Sequence, residues 1–419
     1  MKTTLRHAIA AFGLAIFTLS TATVQAEDYT YTTNDGTITI TRYTGSGGAV
    51  DIPDMINGLP VTSIGDFAFD NHTSVTSVTI PHSVTNIDYP AFYWCTSLTN
   101  ITVDLGNSFY SSMDGVLFNK SQTTLIQCPG GKSGSYSIPN SVMSIGPSAF
   151  ELCGHLTDVT MGNGVTNLGY AAFCHCYSLA NITIGNNVTS IGDWAFGDCD
   201  SLTTVTIPNS VTCMGDYAFC GCSSLTNITI SNGVTCIGDL AFGQCSSLTS
   251  ITIPDSVTNI GHWAFEDCSS LTSVTIAGSV RSIGAMAFWN CTGLTGAYFQ
   301  GNAPSLDGEV FYESPLVKVC YLPGTIGWSS TFGGRPTASW VLPHPVILTA
   351  ATNFGIQNNQ FGFRISWATN VPVVVEASAT LVNPVWSPVS TNTLMDGWSY
   401  FSDAEWTNHP ARFYRVVSP

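Results

Sequence analysis

Apolar residues recur along most of this chain at a fixed spacing. The segment from Cys245 to Asp267 reads CSSLTSITIPDSVTNIGHWAFED, with apolar positions at Leu248, Ile251, Ile253, Val257, Ile260, Ala264 and Phe265. Its Ala-Phe mark returns at Phe69, Phe92, Phe150, Phe173, Phe196, Phe219, Phe242, Phe265 and Phe288, and Val310-Phe311 extends the series. Every interval up to Phe288 is 23 residues except Phe92 to Phe150, which is 58. Ile251 and Ile253, two residues apart, share one face of a short strand over 248–253. A second extended piece follows at Val257–Ile260. Gly261 ends it, and the next residues, with Ala264 and Phe265, suit one helical turn. Asp66, Asp193, Asp216 and Asp239 stand at the start of that turn, where a carboxylate accepts free backbone N–H groups. No single coil can bury its apolar edge, so neighbouring coils must stack into one core.

Leu248, Ile251 and Ile253 follow the L-x-x-L-x-L spacing of a leucine-rich repeat, whose period is 20–29 residues. The predicted fold is therefore a leucine-rich-repeat solenoid of 23-residue coils, each with short parallel strands and a helical turn. Within the 58-residue interval, Asp114–Phe118 and Leu125-Ile126 keep strand-like content, and Tyr136–Pro139 restores the register. This reads as a longer, irregular coil and not as a domain break.

The repeat ends after Val319-Cys320-Tyr321-Leu322, and Pro- and Gly-rich sequence runs to Pro345. Phe361–Trp367 then alternates with period two, and Val373–Glu376, Trp386–Val389 and Arg412–Val417 also read as strands. These predict a small all-β, sandwich-like module, with Trp367, Trp386, Trp398, Trp406, Phe413 and Tyr414 in its core. The expected organisation is a leader at 1–26, an N-terminal cap at 27–60, the solenoid at 61–322, a linker at 323–345 and the C-terminal module at 346–419.

Composition narrows the function. Only 9% of the 419 residues are charged, yet 44% are hydrophobic, so charge-driven disorder is excluded. A net charge of −16 with no basic patch excludes nucleic acid as a partner. Lys2 and Arg6, the apolar stretch Ala8–Leu19 and Val24-Gln25-Ala26 form the pattern of a cleaved export signal. Nothing later in the chain approaches a membrane span.

The 14 cysteines are distributed mostly as a ladder. Cys95, Cys153, Cys176, Cys199, Cys222, Cys245, Cys268 and Cys291 each stand three residues after a repeat phenylalanine. They are expected to be small buried side chains donating weak S–H bonds to backbone at a tight turn. Parallel Cβ vectors disfavour disulfides between such rungs, and Cys213 with Cys236 is the pair to test. Cys174-His175-Cys176 and Cys220-Gly221-Cys222 invite a zinc reading, but one cysteine of each belongs to the ladder and a closed site needs four convergent ligands. The expectation is no metal, no cofactor and no catalytic residue. Stacked Asp193, Asp216 and Asp239 are read as turn caps in preference to a calcium site.

The strand positions between core residues point outward. They carry Thr160, Thr183, Thr206, Thr229, Thr252 and Thr275, ending in Tyr298, beside a second column of Ser, Asn and Thr. This neutral hydroxyl and amide array is the candidate binding face. A regular threonine array also resembles ice-binding solenoids, though the outward pattern here is Ser/Asn-x-Thr.

The units CSSLTNITI and IPNSVTCMGDYAF and the variant MDGVLFNKSQTTLIQCPGG resemble the BspA-type leucine-rich repeats of bacterial surface proteins, over roughly residues 35 to 325. The resemblance implies a secreted or cell-surface solenoid that binds host or environmental macromolecules, and it supplies no catalytic residues. No cell-wall anchor is recognised, so attachment stays open. The function expected is an exported, non-enzymatic recognition or adhesion scaffold for an extracellular protein or glycan. Its rivals are an envelope-structural protein without a specific ligand and a hydrolase-like activity in the C-terminal module.

Overall fold

The computed structural model describes residues 28–340, 342–349, 354–357 and 360–418. The expected leader, 1–26, lies outside the described residues. The repeat region is a solenoid of about 12 turns of roughly 23 residues, followed by a strand-rich module. Each coil contributes a longer strand, such as Ser250–Ile253, and a two-residue strand, such as Asn259–Ile260. Both pair in parallel with their equivalents on the next coil, Ser273–Ile276 and Ser282–Ile283. From Ser144–Ile145 to Ser305–Leu306 the two-residue strands form a continuous ladder within an 11-stranded sheet.

The predicted helical turn is not a helix. Around Phe196 the N–H groups alternate in destination. Ala195 and Gly197 donate to Gly192 and Trp194 within the coil, at 3.2 and 2.9 Å. Trp194, Phe196 and Asp198 donate to Asp216, Ala218 and Cys220 of the next coil, at 2.9, 2.8 and 2.7 Å. Trp194 and Asp198 sit at φ 58° and 53°, which turns every second N–H toward the neighbouring coil and breaks any helical run. The left-handed region costs a non-glycine residue roughly 1–2 kcal/mol; the inter-coil hydrogen bond offsets it. The turn edge is thus a third ladder, equal in rank to the two strand ladders. Among the described residues, the helical element is the three-residue 3₁₀ turn Trp406–Asn408.

The repeat phenylalanines stack along the solenoid. From Phe150 to Phe311 adjacent rings lie 4.6 to 5.6 Å apart and are tilted by 4 to 19°. The aspartates do not cap their own turns. Asp193 Oδ1 accepts the Asp216 N–H, Asp216 the Asp239 N–H and Asp239 the His262 N–H, at 2.9, 2.8 and 2.7 Å. Each carboxylate is a bracket between coils. The preceding glycines leave room for it: a Cβ on Gly238 would lie 2.7 Å from both Asp216 Oδ1 and the Gly215 backbone.

The 58-residue interval forms an antiparallel meander, Tyr110–Met113, Val116–Asn119 and Thr124–Gln127, added to the end of the short-strand sheet. Its central strand is buried on both faces. Leu117 packs into the N-terminal core while Val116 and Phe118 pack into the main one, so the meander joins two cores. Asn107 pins its entrance, fully buried, donating to the Pro81 and Val84 carbonyls and accepting from the Phe109 and Tyr110 N–H groups.

Within 323–345, Thr331–Phe332 and Arg335–Ser339 form a hairpin whose second strand pairs in parallel with Lys318–Tyr321. The C-terminal module has two antiparallel sheets around Phe363, Ile365, Val373, Val375, Leu394 and Phe401. Trp367 and Tyr414 pack against that core. Trp386 and Trp398, expected inside, are half-exposed under the guanidinium groups of Arg415 and Arg364, 4.7 and 4.6 Å from the ring centres. Arg364 also donates to the Gly324 carbonyl at 2.7 Å, tying the module to the end of the solenoid.

Candidate functional site

The outward threonines occupy one column of the longer strands. Thr160, Thr183, Thr206, Thr229 and Thr252 are exposed, Thr275 is half-buried, and Tyr298 lies 4.9 Å from Trp340, covered by the chain that follows the solenoid. Thr206 pairs with Thr229 and Thr252 with Thr275 in ladder register. The threonine column is neutral, and the adjacent column carries one charge, Asp158, whose carboxyl is held below the usual range by hydrogen bonds from Thr157 and Asn181.

This ladder is not continuous. It opens between Asn181–Thr183 and Thr204–Ile207, and again between Asn227–Ile230 and Ser250–Ile253. Both seams carry a proline directly after the second strand, although Pro81 at the same position leaves Val75–Ile80 paired with Gly48–Asp51. In several paired coils the residue after the strand donates its N–H back to the preceding coil: Ser231 to Ile207, Ala277 to Ile253 and Gln300 to Ile276, at 3.3, 3.2 and 2.9 Å. Pro208 and Pro254 occupy the same position and have no N–H to donate. A hollow lies over each seam. One, of about 460 Å³, is lined by Thr183, Asn186, Thr206, Pro208 and Asn209. The other, of about 490 Å³, is lined by Thr229, Asn232, Thr252, Pro254, Asp255 and Gln300. Backbone groups freed from the ladder need partners from water or a ligand. The Ile-Pro pairs were legible in the sequence as breaks in an otherwise regular column, and the outward-facing pattern alone did not show them.

The ladder cysteines lie on the inside. Cys176, Cys199, Cys222, Cys245, Cys268 and Cys291 donate from Sγ to the carbonyls of Phe150, Phe173, Phe196, Phe219, Phe242 and Phe265, at 3.0 to 3.2 Å. Cys95 does the same to Phe69, and Cys153 reaches Pro129 at 3.5 Å. Burial pushes the Cys95 and Cys291 thiols up to about 12. Cys213 and Cys236, paired in register on the short-strand ladder with Cα atoms 5.1 Å apart, form a disulfide.

Sequence reasoning missed the turn edge. The residue before each Ala-Phe pair is Trp194, Tyr217, Leu240, Trp263 and Met286 on consecutive coils, all half-buried. Trp194 and Tyr217 stack at 4.3 Å with an interplanar angle of 7°. Toward the N-terminus the same edge exposes Phe67, Tyr89, Trp94, Tyr170 and Tyr177, each at 43 to 53%. The signal was present as a bulky residue before Ala-Phe, but a helical reading of the turn placed it on no particular surface.

Stacked coils, phenylalanine and cysteine ladders and a polar strand face define a leucine-rich-repeat solenoid. Residues 51–133, 132–225 and 212–327 match the BspA type leucine rich repeat region in 6 copies, and the chain belongs to this family. Among solved structures, the pneumococcal vaccine antigen PcpA is 23% identical over 58% of this chain and 55% of that one, with a TM-score of 0.45. The chain thus spans about half the length of PcpA. A leucine rich cell surface protein from Faecalibacterium prausnitzii is 27% identical over 71% of this chain and 94% of that one, with a TM-score of 0.40. A leucine-rich repeat protein from Eubacterium ventriosum is 22% identical over 72% and 95%, with a TM-score of 0.47. No curated protein matches the chain. Among the described residues no helix is long and apolar enough to cross a membrane.

Proposed function

We propose that this chain is an exported, non-enzymatic recognition scaffold that binds an extracellular protein or glycan through the solenoid surface, at the bacterial surface or released from it. The observation that carries this reading is the coincidence of the threonine column with the two proline seams. There, hydroxyls of Thr183, Thr206, Thr229 and Thr252 border hollows that also hold backbone groups released from the ladder. An extended polar ligand, a peptide backbone or a glycan, offers the donors and acceptors such a surface needs. The family membership supports a protein-binding role.

The aromatic turn edge favours a second location for the same role. Interface hot spots are enriched in Trp and Tyr, and this edge carries both, whereas the strand face carries neither before Tyr298. A glycan and matrix-protein array probed with the full chain tests the function, and two variant sets separate the locations. Binding lost on Thr206→Lys, Thr229→Lys and Thr252→Lys, with Trp194→Ala and Trp263→Ala unaffected, places the ligand on the strand face. The opposite result moves it to the turn edge. A flat profile across the whole array would leave a structural role without a specific ligand as the better account.

A further inference from the structure

Two residues follow each repeat phenylalanine on the turn edge and make two adjacent columns. The first runs Glu151, Cys174, Gly197, Cys220, and the second Leu152, His175, Asp198, Gly221. The second column is held in the left-handed region, His175 at φ 59° and Asp198 at 53°. Its N–H groups bond to the following coil, His175 to Gly197 at 2.8 Å and Asp198 to Cys220 at 2.7 Å, so the side chains project from a fixed backbone.

On three consecutive coils these columns bring unlike ligand groups together. One ligand atom each from Glu151, Cys174 and His175 lies within 4.8 Å of the other two. Asp198 Oδ2 approaches His175 Nδ1 at 3.2 Å, yet that buried nitrogen meets no hydrogen-bond partner of good geometry. The adjoining column is small here, Ser148 and Ala171, where the next coils place Trp194, Tyr217, Leu240 and Trp263. The sequence triplet Cys174-His175-Cys176 suggested the wrong partner: Cys176 turns into the core and bonds the Phe150 carbonyl, and the further groups come from the flanking coils.

We propose that Glu151, Cys174 and His175 bind a divalent transition-metal ion of the zinc class, with Asp198 fixing the imidazole. A thiolate, an imidazole and a carboxylate form a mixed donor set of the kind zinc takes, at variance with the all-oxygen shells of calcium and magnesium. A carboxylate at the second nitrogen of a metal-bound imidazole sets its tautomer and orientation. Binding forms the metal–sulfur bond and releases the Cys174 proton to solvent. Three protein ligands leave one tetrahedral position for water or for a group on a partner. The His175 ring lies 5.6 Å from that of Tyr177, tilted by 36°, which puts the site beside the exposed aromatic part of the turn edge.

The test is titration of the chelator-treated full chain with Co²⁺ and then Zn²⁺. The expected result is one Co²⁺ per chain with a thiolate-to-cobalt charge-transfer band and tetrahedral visible absorption, both bleached by stoichiometric Zn²⁺ and unaffected by Ca²⁺. Cys174→Ser should abolish the charge-transfer band. His175→Ala and Glu151→Gln should each weaken binding about 10-fold or more, and Asp198→Asn should weaken it by a comparable factor of about 10 through the imidazole. Cys320→Ser, which removes the half-exposed free thiol elsewhere, should leave the band intact. Equivalent positions to Cys174 hold glycine at 197 and 243, so Cys174→Ser should fold, and its thermal melt in chelator checks this. No band in the wild-type chain, or a band that survives Cys174→Ser, would overturn the assignment.

Discussion

Ser314 donates from Oγ to the carbonyl of Phe288 at 2.7 Å, the bond that seven other coils make with a cysteine to the phenylalanine of the preceding coil. The rung thus requires a small donor, and serine meets that requirement. Cys222→Ser should change the urea midpoint by the equivalent of less than about 1 kcal/mol, whereas Cys222→Val strands the Phe196 carbonyl and should cost roughly 1–3 kcal/mol. Equal losses for the two would show that volume, not donation, governs the rung.

The same burial makes stability sensitive to alkali. In the fold Cys95 and Cys291 keep their protons up to about 12, against 9.0 for a free thiol, because burial disfavours the thiolate. Above about pH 9 the unfolded chain therefore binds fewer protons than the folded one, and stability falls as pH rises until the folded thiols ionise. Each such thiol should cost about 1.4 kcal/mol per pH unit over that window. Urea melts at pH 7, 9 and 10 check the slope, and a flat profile would contradict it.

Restoring an N–H at a seam should close it. Pro208→Ser gives the chain the donor that Ser231 already uses toward Ile207, aimed here at the Ile184 carbonyl. Amide exchange over Thr204–Ile207 should slow, and ligand binding at that hollow should weaken. Unchanged exchange would mean that the missing donor is not what opens the ladder.

Gly238 has no room for a side chain. Its Gly238→Ala variant forces a Cβ to within 2.7 Å of the Gly215 backbone, with no flexible group to yield, and should cost roughly 1–3 kcal/mol by overpacking. Gly134→Ala, with open space around it but φ at 76°, separates the conformational cost from the steric one. Thermal melts of both variants make the comparison.

The Cys213–Cys236 disulfide closes a loop of 23 residues between adjacent coils. Loop-closure entropy puts its contribution at about 3 kcal/mol. Reduction, or the double substitution Cys213→Ser with Cys236→Ser, should lower the urea midpoint accordingly. Mass spectrometry should find two further alkylation sites after reduction of the unfolded chain.

Much of the solenoid was legible because a coil writes its core into a short stretch of chain. Leu248, Ile251, Ile253, Val257, Ile260 and Phe265 are all buried, and their spacing gave the strands and the stacking without reference to any other coil. The turn was misread because Ala264-Phe265 fits a helical turn locally; only the next coil's carbonyls, which take the Trp263 and Phe265 N–H groups, reveal a ladder. Asp193 was expected at the edge of its turn, and its partner is the Asp216 N–H one coil away.

The 23-residue period, the buried set and the small donor three residues after most repeat phenylalanines are therefore properties of the sequence, since they depend on contacts that recur from coil to coil. What the tertiary structure decided lies in the departures from repetition. The strand face opens at the coils of Pro208 and Pro254, Ala171 and Ser148 leave the turn edge low beside Trp194, and Glu151, Cys174, His175 and Asp198 meet across three coils. The physical reason is that these features involve side chains or backbone groups 23 residues apart. Their meeting is set by the register and hydrogen bonding of stacked coils, which no single stretch of chain displays.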